Sequence, residues 1–457
     1  MELTQQYTSS NLKEKLPYFG FIVSAFLCGW LLVRFPQDTV VGLGIFLTLV
    51  MIFLADIKLA VMILVFAVPL LTLTHSFTPL FPKSSYSINL GGMLNIFILL
   101  FTLLHVLLKR RTYENFFLTK PIVLFLGIAL LTFLISYDRW ITLREWFGYA
   151  MPIMFYFLIL TSFENTREVE KLRNALIYSA FIPLACSLYQ IFYWEPQPIG
   201  FNRVYATFMH PNAFACYLVV LMPSVVLLYS RTQKKNQKAF YSGIFALMSL
   251  SLFYTFTRVA WAAFIPSLII LGFSRHKKLF LKFVLIVLIT ILLLPGLGQM
   301  FTKRIQLDSS FYGRFDFNQF SLFLFCQKPI LGHGLGTFRL FSSSIFDYQE
   351  ERYERTLGVG AHNDYFKTLA ETGLVGLFSF LFLFYSLLKM GRRIYLSGDY
   401  NLKSEALVLF AVVSGILVYG LTDAGLAYGG IYLWSTIGIA EARYRLNCAE
   451  SKENAFR

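Results

Sequence analysis

The sequence contains little charge and little cysteine. Only 14% of its 457 residues are Asp, Glu, Lys or Arg, against roughly a quarter in ordinary soluble domains, whereas 57% are hydrophobic and 18% are aromatic. One water-exposed core cannot bury so much apolar surface, which excludes a soluble enzyme and indicates a chain that crosses a membrane repeatedly. Disulfides and structural zinc are not expected, because no metal or redox spacing joins the five cysteines, Cys28, Cys186, Cys216, Cys326 and Cys448.

Other absences concern cofactors and partners. No two histidines or acids have the spacing of a metal site, and the glycine-rich segment 332–336 lacks the Lys-Ser/Thr pair of a nucleotide-binding loop. We therefore expect no metal ion and no other cofactor, and we interpret this segment, which includes His333, as a tight turn. The net charge of +15 comes from clusters between apolar runs rather than from one basic face, so no nucleic-acid partner is expected.

The apolar runs predict an all-α polytopic integral membrane protein. A bilayer core requires about 20 apolar residues per helix, and this length gives about 12 to 14 transmembrane helices. The first run has no small-residue cleavage site and is expected to be a retained helix. The candidates lie near residues 18–33, 39–54, 57–73, 92–108, 121–137, 147–162, 175–193, 213–230, 239–256, 259–274, 279–295, 373–388, 405–421 and 427–440.

The basic residues predict the orientation of these spans, because short cytoplasmic loops collect Lys and Arg. With the N-terminus inside, 26 of the 40 basic residues fall on the cytoplasmic side, in clusters such as 109–111, 231–238 and 275–278. The other 14 fall on the outer side, mostly in one long segment to which the short-loop rule does not apply. Both termini are therefore predicted to be cytoplasmic.

One connection, residues 296–372, is much longer than the others. It divides the chain into an N-terminal transmembrane bundle (1–295), an extracytoplasmic loop (296–372) and C-terminal transmembrane helices with a short cytoplasmic tail (373–457). Long loops are usually functional or disordered, and the abundance of Phe, Leu and Tyr argues against disorder. We expect a partly helical, folded cap over an external cavity, with Phe317 to Cys326 along the outer membrane interface.

Two arginines lie where a predicted span meets the outer face. Arg203 precedes the span that begins near Ala213, in a segment that also contains His210 and Asn212, and an interfacial anchor explains it equally well. Arg258 lies between two apolar spans with almost no loop, and a charge at the bilayer centre costs at least about 2.5–3.5 kcal/mol. Its guanidinium must therefore reach the surface or bind an anion, and its planar fork suits phosphate.

A third polar position is His362. Asn363 or Asp364 is a good helix cap, which places His362 at or just before a helix N-terminus. The positive end of the helix dipole disfavours imidazolium, and a neutral imidazole is what a general base requires. A polar cap residue without chemistry is the alternative.

These motifs together resemble those of the O-antigen ligase and O-antigen polymerase superfamily, multi-pass enzymes that act on lipid-linked glycans at the outer face of the bacterial inner membrane. The resemblance covers roughly residues 180–390. It is carried by Arg203 with Pro211-Asn212, by Thr257-Arg258, by Gly313-Arg314, by Lys328 to Phe338, and by His362-Asn363 with Glu371 to Gly376.

The resemblance implies a role for each site residue. Arg203 and Arg258, with Arg314, would hold the diphosphate of an undecaprenyl-diphosphate-linked glycan, and His362 would act as base on an acceptor hydroxyl. The acceptor would be lipid A core or another glycan, with membrane lipids around the protein and no cofactor. Direct attack by the hydroxyl would invert the anomeric centre. The supporting positions are His210, Asn212, Asn363 and Asp364.

Two departures from the family pattern concern His333 and Arg314. His333 stands where the family often has an apolar residue, and Phe315 follows Arg314 where a Trp is expected. These departures leave the role of Arg314 less defined than the roles of Arg203 and Arg258.

Three rival functions remain open on the sequence. A repeat-unit polymerase of O-antigen or exopolysaccharide uses the same glycan donor, so the motifs do not separate it from a ligase. A lipid or glycan transporter would place ionisable residues at the membrane midplane, whereas the centres of these spans are nearly free of charge. A non-catalytic anchoring protein leaves Arg258 unexplained.

Overall fold

The computed structural model describes part of the chain, and its regular structure there is entirely helical. This confirms an all-α polytopic membrane protein. The predicted span near 18–33, most of the span near 279–295 and parts of the long connection lie outside the described residues. The described residues are 37–71, 96–98, 100–102, 105, 116–193, 203–274, 281, 284–285, 310–345, 360–397 and 399–456.

Fourteen α-helices are numbered here within the described residues. In chain order they are α1 (Gln37–Ala55), α2 (Ile57–Leu71), α3 (Thr119–Leu131), α4 (Arg139–Ser162), α5 (Thr166–Tyr178), α6 (Phe181–Tyr193), α7 (Pro211–Arg231), α8 (Lys235–Tyr254), α9 (Arg258–Ser274), α10 (Ser310–Gln327), α11 (Phe338–Ile345), α12 (Asp364–Leu396), α13 (Tyr400–Gly420) and α14 (Gly425–Phe456). Within the described residues, four helical segments are long and apolar enough to cross a membrane: the α5–α6 pair, α7, α12 and α13.

Helices α7, α13 and α14 form the centre of the bundle. Helix α13 packs against α7, α9, α12 and α14, and α14 also packs against α4. In the 18-residue apolar stretch of α7, 78% of the residues are buried inside the protein, so lipid can reach little of this helix. Aromatic contacts join these helices, as between Tyr217 and Tyr432, whose ring centroids are 4.4 Å apart.

The two ends of α7 carry two separate polar clusters. The helix has 21 residues, a length of about 30 Å, which is close to the thickness of a bilayer core. At its C-terminal end, Arg231 lies 2.8 Å from Glu405 and 3.1 Å from Glu170, and Arg173 lies 2.8 Å from Glu405. The N-terminal end of α7 carries Asn212, which belongs to the candidate site described below.

Helix α12 is broken at Gly373, where φ is 66° and ψ is −164°. The turn formed by residues 329–336 packs into the break, and the backbone N–H of Leu374 donates to the Pro329 carbonyl at 2.8 Å. Three glycines of this turn have positive φ, which confirms the tight turn predicted from the sequence. The turn and the broken helix therefore fix each other.

The described part of the long connection is folded. Helix α10 has 18 residues and is longer than the predicted stretch from Phe317 to Cys326. Phe317 is buried with Phe338 and Ala361 in one small apolar cluster, so α10, α11 and the segment before α12 share a core. The location of α10 along the membrane interface, and the external cavity, stay predictions.

His333 has a structural position in this connection. Its ring is buried, and its Nε2 lies 2.9 Å from the Leu324 carbonyl at the end of α10. A carbonyl can only accept, so Nε2 carries the proton. Burial lowers the pKa of His333, and the positive charge of Lys328 lowers it further.

Candidate functional site

The segment before α7 is fastened to two other helices. The backbone N–H of Val204 donates to the Tyr254 carbonyl of α8 at 3.0 Å. The side-chain oxygen of Gln190 on α6 accepts from the backbone N–H of Ala206 at 2.8 Å. These bonds fix the backbone from which Arg203 projects.

The half-buried side chain of Arg203 joins three polar groups. Its Nε donates to the Thr255 carbonyl at 2.9 Å, and its Nη2 donates to Asn212 Oδ1 at 2.6 Å and to Thr257 Oγ1 at 3.1 Å. Thr257 directly precedes Arg258, the half-buried first residue of α9. The structure therefore brings the segments of these two predicted arginines together.

Asp423 extends this set of contacts to His362. It lies in the short turn between α13 and α14, and only 1% of it is exposed. The side-chain amide of Asn212 donates to Asp423 Oδ2, and His362 Nδ1 lies 3.3 Å from Asp423 Oδ1. A continuous path of polar contacts thus runs from Arg203 through Asn212 and Asp423 to His362.

This geometry determines which nitrogen of His362 can accept a proton. A carboxylate can only accept, so a hydrogen bond from Nδ1 to Asp423 requires the proton on Nδ1 and leaves Nε2 with a free lone pair. The His362 side chain is 32% exposed, so substrate can reach the ring. The arrangement can therefore accept a proton at Nε2 and stabilise the resulting imidazolium with Asp423.

Asp423 was missed by the sequence reasoning, although a signal for it was present. The residue lies in a four-residue connection between two apolar helices. The desolvation cost that singled out Arg258 applies equally to a carboxylate in such a connection.

The start of α12 agrees with the predicted cap. Asn363 is the N-cap, and its Oδ1 accepts from two backbone N–H groups of the first helical turn at 3.0 Å each. This confirms that His362 lies just before a helix N-terminus. Asp364 is the first helical residue, and its buried carboxylate accepts from the backbone N–H of Leu426 on α14 at 2.9 Å rather than capping its own helix.

His210 and Arg314 differ in what the structure shows of them. His210 is the N-cap of α7, and its Nδ1 accepts from the backbone N–H of Asn212 at 3.1 Å, so it helps to orient that residue. Arg314 lies on α10, three residues before Phe317, whose ring centroid is 6.2 Å from that of His362. The Arg314 side chain is outside the described part of the structure.

Backbone strain is concentrated at this site. Within the described residues, the non-glycine residues with positive φ are Ala206 (53°), Phe256 (49°) and His362 (49°). Each such conformation costs about 1–3 kcal/mol. All three belong to the site, because Ala206 follows Arg203 closely, Phe256 immediately precedes Thr257, and His362 ends the polar path. Strain of this kind persists at functional positions.

A partly buried charge cluster supports the first turns of α12. Lys367 Nζ lies 2.5 Å from Glu145 and 3.3 Å from the Tyr149 hydroxyl on α4. Glu371 Oε1 accepts from the backbone N–H of Phe338 at the start of α11 at 3.2 Å. The helix that begins beside His362 is therefore tied to two neighbouring helices.

Comparison with known proteins shows which family the central part of the chain resembles. The family model for O-antigen ligase matches residues 243–381, a range that contains Arg258, Arg314 and His362. The predicted resemblance to the O-antigen ligase superfamily is confirmed. Arg203, Asn212 and Asp423 lie outside the matched range. The structure brings Arg203 and Asn212 into contact with Thr257, and Asp423 into contact with His362.

A relative with a similar description comes from Rickettsia conorii (strain ATCC VR-613 / Malish 7). This protein, named "Putative polysaccharide ligase RC0486", is 24% identical to the chain over 287 residues. The alignment spans 59% of this chain and 66% of the relative, just under two thirds of its length. The chain is thus similar to O-antigen ligases in one segment and to a protein named as a polysaccharide ligase over a longer one.

Proposed function

We propose that the protein transfers a glycan from undecaprenyl diphosphate to an acceptor hydroxyl, as an O-antigen ligase-like glycosyltransferase. The polar path from Arg203 through Asn212 and Asp423 to His362 carries this proposal. The path joins a cation suited to a diphosphate with a base suited to a hydroxyl, and both groups are needed for this transfer.

The transfer is a single displacement. The bond between the anomeric carbon and the diphosphate oxygen breaks, and its electron pair stays on the diphosphate. The acceptor oxygen forms the new glycosidic bond on the opposite face of the carbon, which inverts the configuration. The acceptor proton passes to His362 Nε2. The glycan donor brings its own leaving group, so the step requires charge stabilisation and a base.

The arginines stabilise the charge that develops on the leaving diphosphate. Arg203 and Arg258 enter the site from adjacent segments, and guanidinium groups bind phosphate oxygens through paired hydrogen bonds. Arg314 is proposed as a third ligand, because its helix α10 also carries Phe317 beside His362.

Asp423 is proposed as a positioning residue. It keeps the proton of His362 on Nδ1 and stabilises the imidazolium that forms when Nε2 takes the acceptor proton. Asn212 donates to Asp423 and accepts from Arg203, so it aligns the two halves of the site.

We further propose that the protein lies in the bacterial inner membrane with this site outside and both termini in the cytoplasm. The Arg231 cluster and the basic segment after it lie at the far end of α7, where the positive-inside rule expects cytoplasm. A membrane-impermeant thiol reagent on intact cells should label the exposed Cys326 but not Lys235→Cys, each as the single cysteine. Labelling of Lys235→Cys but not of Cys326 would show that the orientation is opposite to the proposed one.

Reconstitution tests the activity. Purified protein in lipid nanodiscs is supplied with undecaprenyl-diphosphate-linked glycan and, separately, with lipid A core or a second lipid-linked repeat unit. Mass spectrometry should show that one acceptor gains the glycan: lipid A core for a ligase, the repeat unit for a polymerase. In proteoliposomes, movement of the intact glycan donor across the bilayer without transfer to any acceptor would instead identify a transporter.

A further inference from the structure

Arg339 is an additional arginine at the rim of the candidate site. It is the second residue of α11, and its guanidinium lies near Gly360. A Cβ added to Gly360 would lie 3.6 Å from Arg339 Nε and 3.8 Å from Nη2. His362 follows Gly360 by two residues, and two residues of extended chain span at most about 7 Å.

The backbone that carries Arg339 is firmly held. The preceding residue, Phe338, is 1% exposed, and its N–H donates to the Glu371 carboxylate at 3.2 Å. Its ring lies 6.3 Å from that of Phe317, which in turn lies 6.2 Å from the ring of His362. Phe338, the residue before Arg339, and His362 therefore pack against the same aromatic side chain, that of Phe317.

The guanidinium of Arg339 is exposed and makes no hydrogen bond or ion pair with any residue that the structure describes. The nearby carboxylate of Glu145, close enough to interact electrostatically, is already bound by Lys367 at 2.5 Å. An arginine near the proposed base whose donors are used by no described residue suits a planar or tetrahedral oxyanion.

Arg339 and the proposed diphosphate ligand Arg203 lie against different segments of the chain. Arg203 contacts residues 212, 255 and 257, at the ends of α7, α8 and α9. Arg339 lies beside Gly360 on the long connection, away from these three residues in the sequence. A glycan donor bound at Arg203 and Arg258 therefore leaves Arg339 for the second substrate.

We propose that Arg339 binds an anionic group, a phosphate or a carboxylate, on the acceptor sugar next to the hydroxyl that faces His362. This inference rests on the proposed function and specifies its acceptor as an acidic glycan or glycolipid. A bound anion at this point would fix the acceptor hydroxyl relative to Nε2.

The test compares acceptors and variants with the same protein in nanodiscs. The acceptor is the pool of glycans and glycolipids extracted from the envelope of the producing cells, used untreated, after phosphatase treatment, and after chemical reduction of its carboxylates. Arg339→Gln should raise the acceptor KM roughly 10- to 100-fold, as expected for a lost charge-assisted hydrogen bond, with the glycan-donor KM unchanged. The treatment that removes the recognised group should raise the acceptor KM of the wild-type protein to that of Arg339→Gln.

Arg139→Gln is the matched control. Arg139 is an exposed arginine at the start of α4 that packs over Phe133, so its loss should leave the acceptor KM unchanged. A rise of the glycan-donor KM in Arg339→Gln, or an unchanged acceptor KM, would overturn the inference.

A binding measurement separates failure of this inference from failure of the proposed function. If wild type shows no transfer with any acceptor, the proposed function fails. Equilibrium binding of the fluorescently labelled acceptor pool still decides the role of Arg339. Binding should weaken in Arg339→Gln and not in Arg139→Gln, and equal binding to all three proteins would refute the inference.

Discussion

Asn212 and Asp423 are joined by a hydrogen bond although 211 residues separate them in the sequence. The bond connects the start of α7 with the turn before α14. Because Asn212 also accepts from Arg203, and Asp423 faces His362, one amide links the arginine proposed to bind the diphosphate with the proposed base.

Asp423→Asn should impair the transfer step more than substrate binding. An amide cannot stabilise the imidazolium as a carboxylate does, and its NH₂ group can donate to Nδ1 and favour the wrong tautomer. We expect kcat to fall about 10²- to 10⁴-fold, the range of general-base effects, with the glycan-donor KM nearly unchanged. Asp316→Asn, which neutralises an exposed acid on α10, is the control. Full kcat in folded Asp423→Asn would exclude the positioning role.

Arg203 and Arg258 should each contribute to use of the glycan donor. Replacement by Ala removes a charge-assisted hydrogen bond, which costs about 1.5–3 kcal/mol, or roughly 10- to 100-fold in kcat/KM for the donor. Replacement by Lys should restore little activity, because an ammonium cannot reproduce the bidentate contact. Initial rates at limiting donor measure the effect. Near wild-type rates for Arg258→Ala under these conditions would remove Arg258 from the diphosphate site.

Gly373→Ala should strongly destabilise the protein. The residue has φ 66° and ψ −164°, and a Cβ there would lie 2.3 Å from the Ile330 carbonyl oxygen. Backbone strain of about 1–3 kcal/mol adds to overpacking of about 1–3 kcal/mol. Gly127→Ala on α3, where a Cβ meets nothing within 4 Å, should be neutral or stabilise by about 0.5–1 kcal/mol. Thermal unfolding in detergent measures the stability of both variants. Equal melting temperatures for Gly373→Ala and Gly127→Ala would contradict the packing described at the helix break.

His333 should make stability depend on pH. Burial lowers the pKa of His333 in the folded protein, below the value of about 6.5 expected in the unfolded chain. The unfolded state therefore binds the proton more readily, so stability is complete above about pH 6.5 and falls as pH drops through the folded pKa. His333→Gln cannot titrate but can still donate to the Leu324 carbonyl. Between pH 7.5 and 5, the melting temperature of His333→Gln should fall less than that of wild type. If both melting temperatures fall equally with pH, His333 is not the cause of the pH dependence.

Local sequence signals predicted several features of the site correctly. Pro211 follows the general preference of proline for the first turn of a helix and lies at that position in α7. Asn363 was expected to cap the helix after His362 and does so. Both features depend on neighbours within a few residues, which the sequence displays directly.

Features that depend on distant contacts could not be predicted in this way. The segment around Gly373 continues an apolar run, and its break is stabilised by a turn about 40 residues earlier. Hydropathy also placed the start of this span near residue 373, whereas α12 begins at Asp364, because its first turns are polar and bind partners on other helices. Asp423 acquires its role only when α7 and α12 bring Asn212 and His362 to it.

The most direct test of the proposed mechanism is the single-turnover rate of glycan transfer by His362→Ala with the glycan donor prebound. If His362 takes the proton of the acceptor hydroxyl, the rate should fall at least about 10²- to 10⁴-fold, while donor binding persists because Arg203 and Arg258 remain. Asp364→Ala, measured beside it, should disturb the position of His362 without abolishing transfer. If His362→Ala transfers glycan at the wild-type rate and Asp364→Ala does not, the base is Asp364 and the proposed mechanism is wrong.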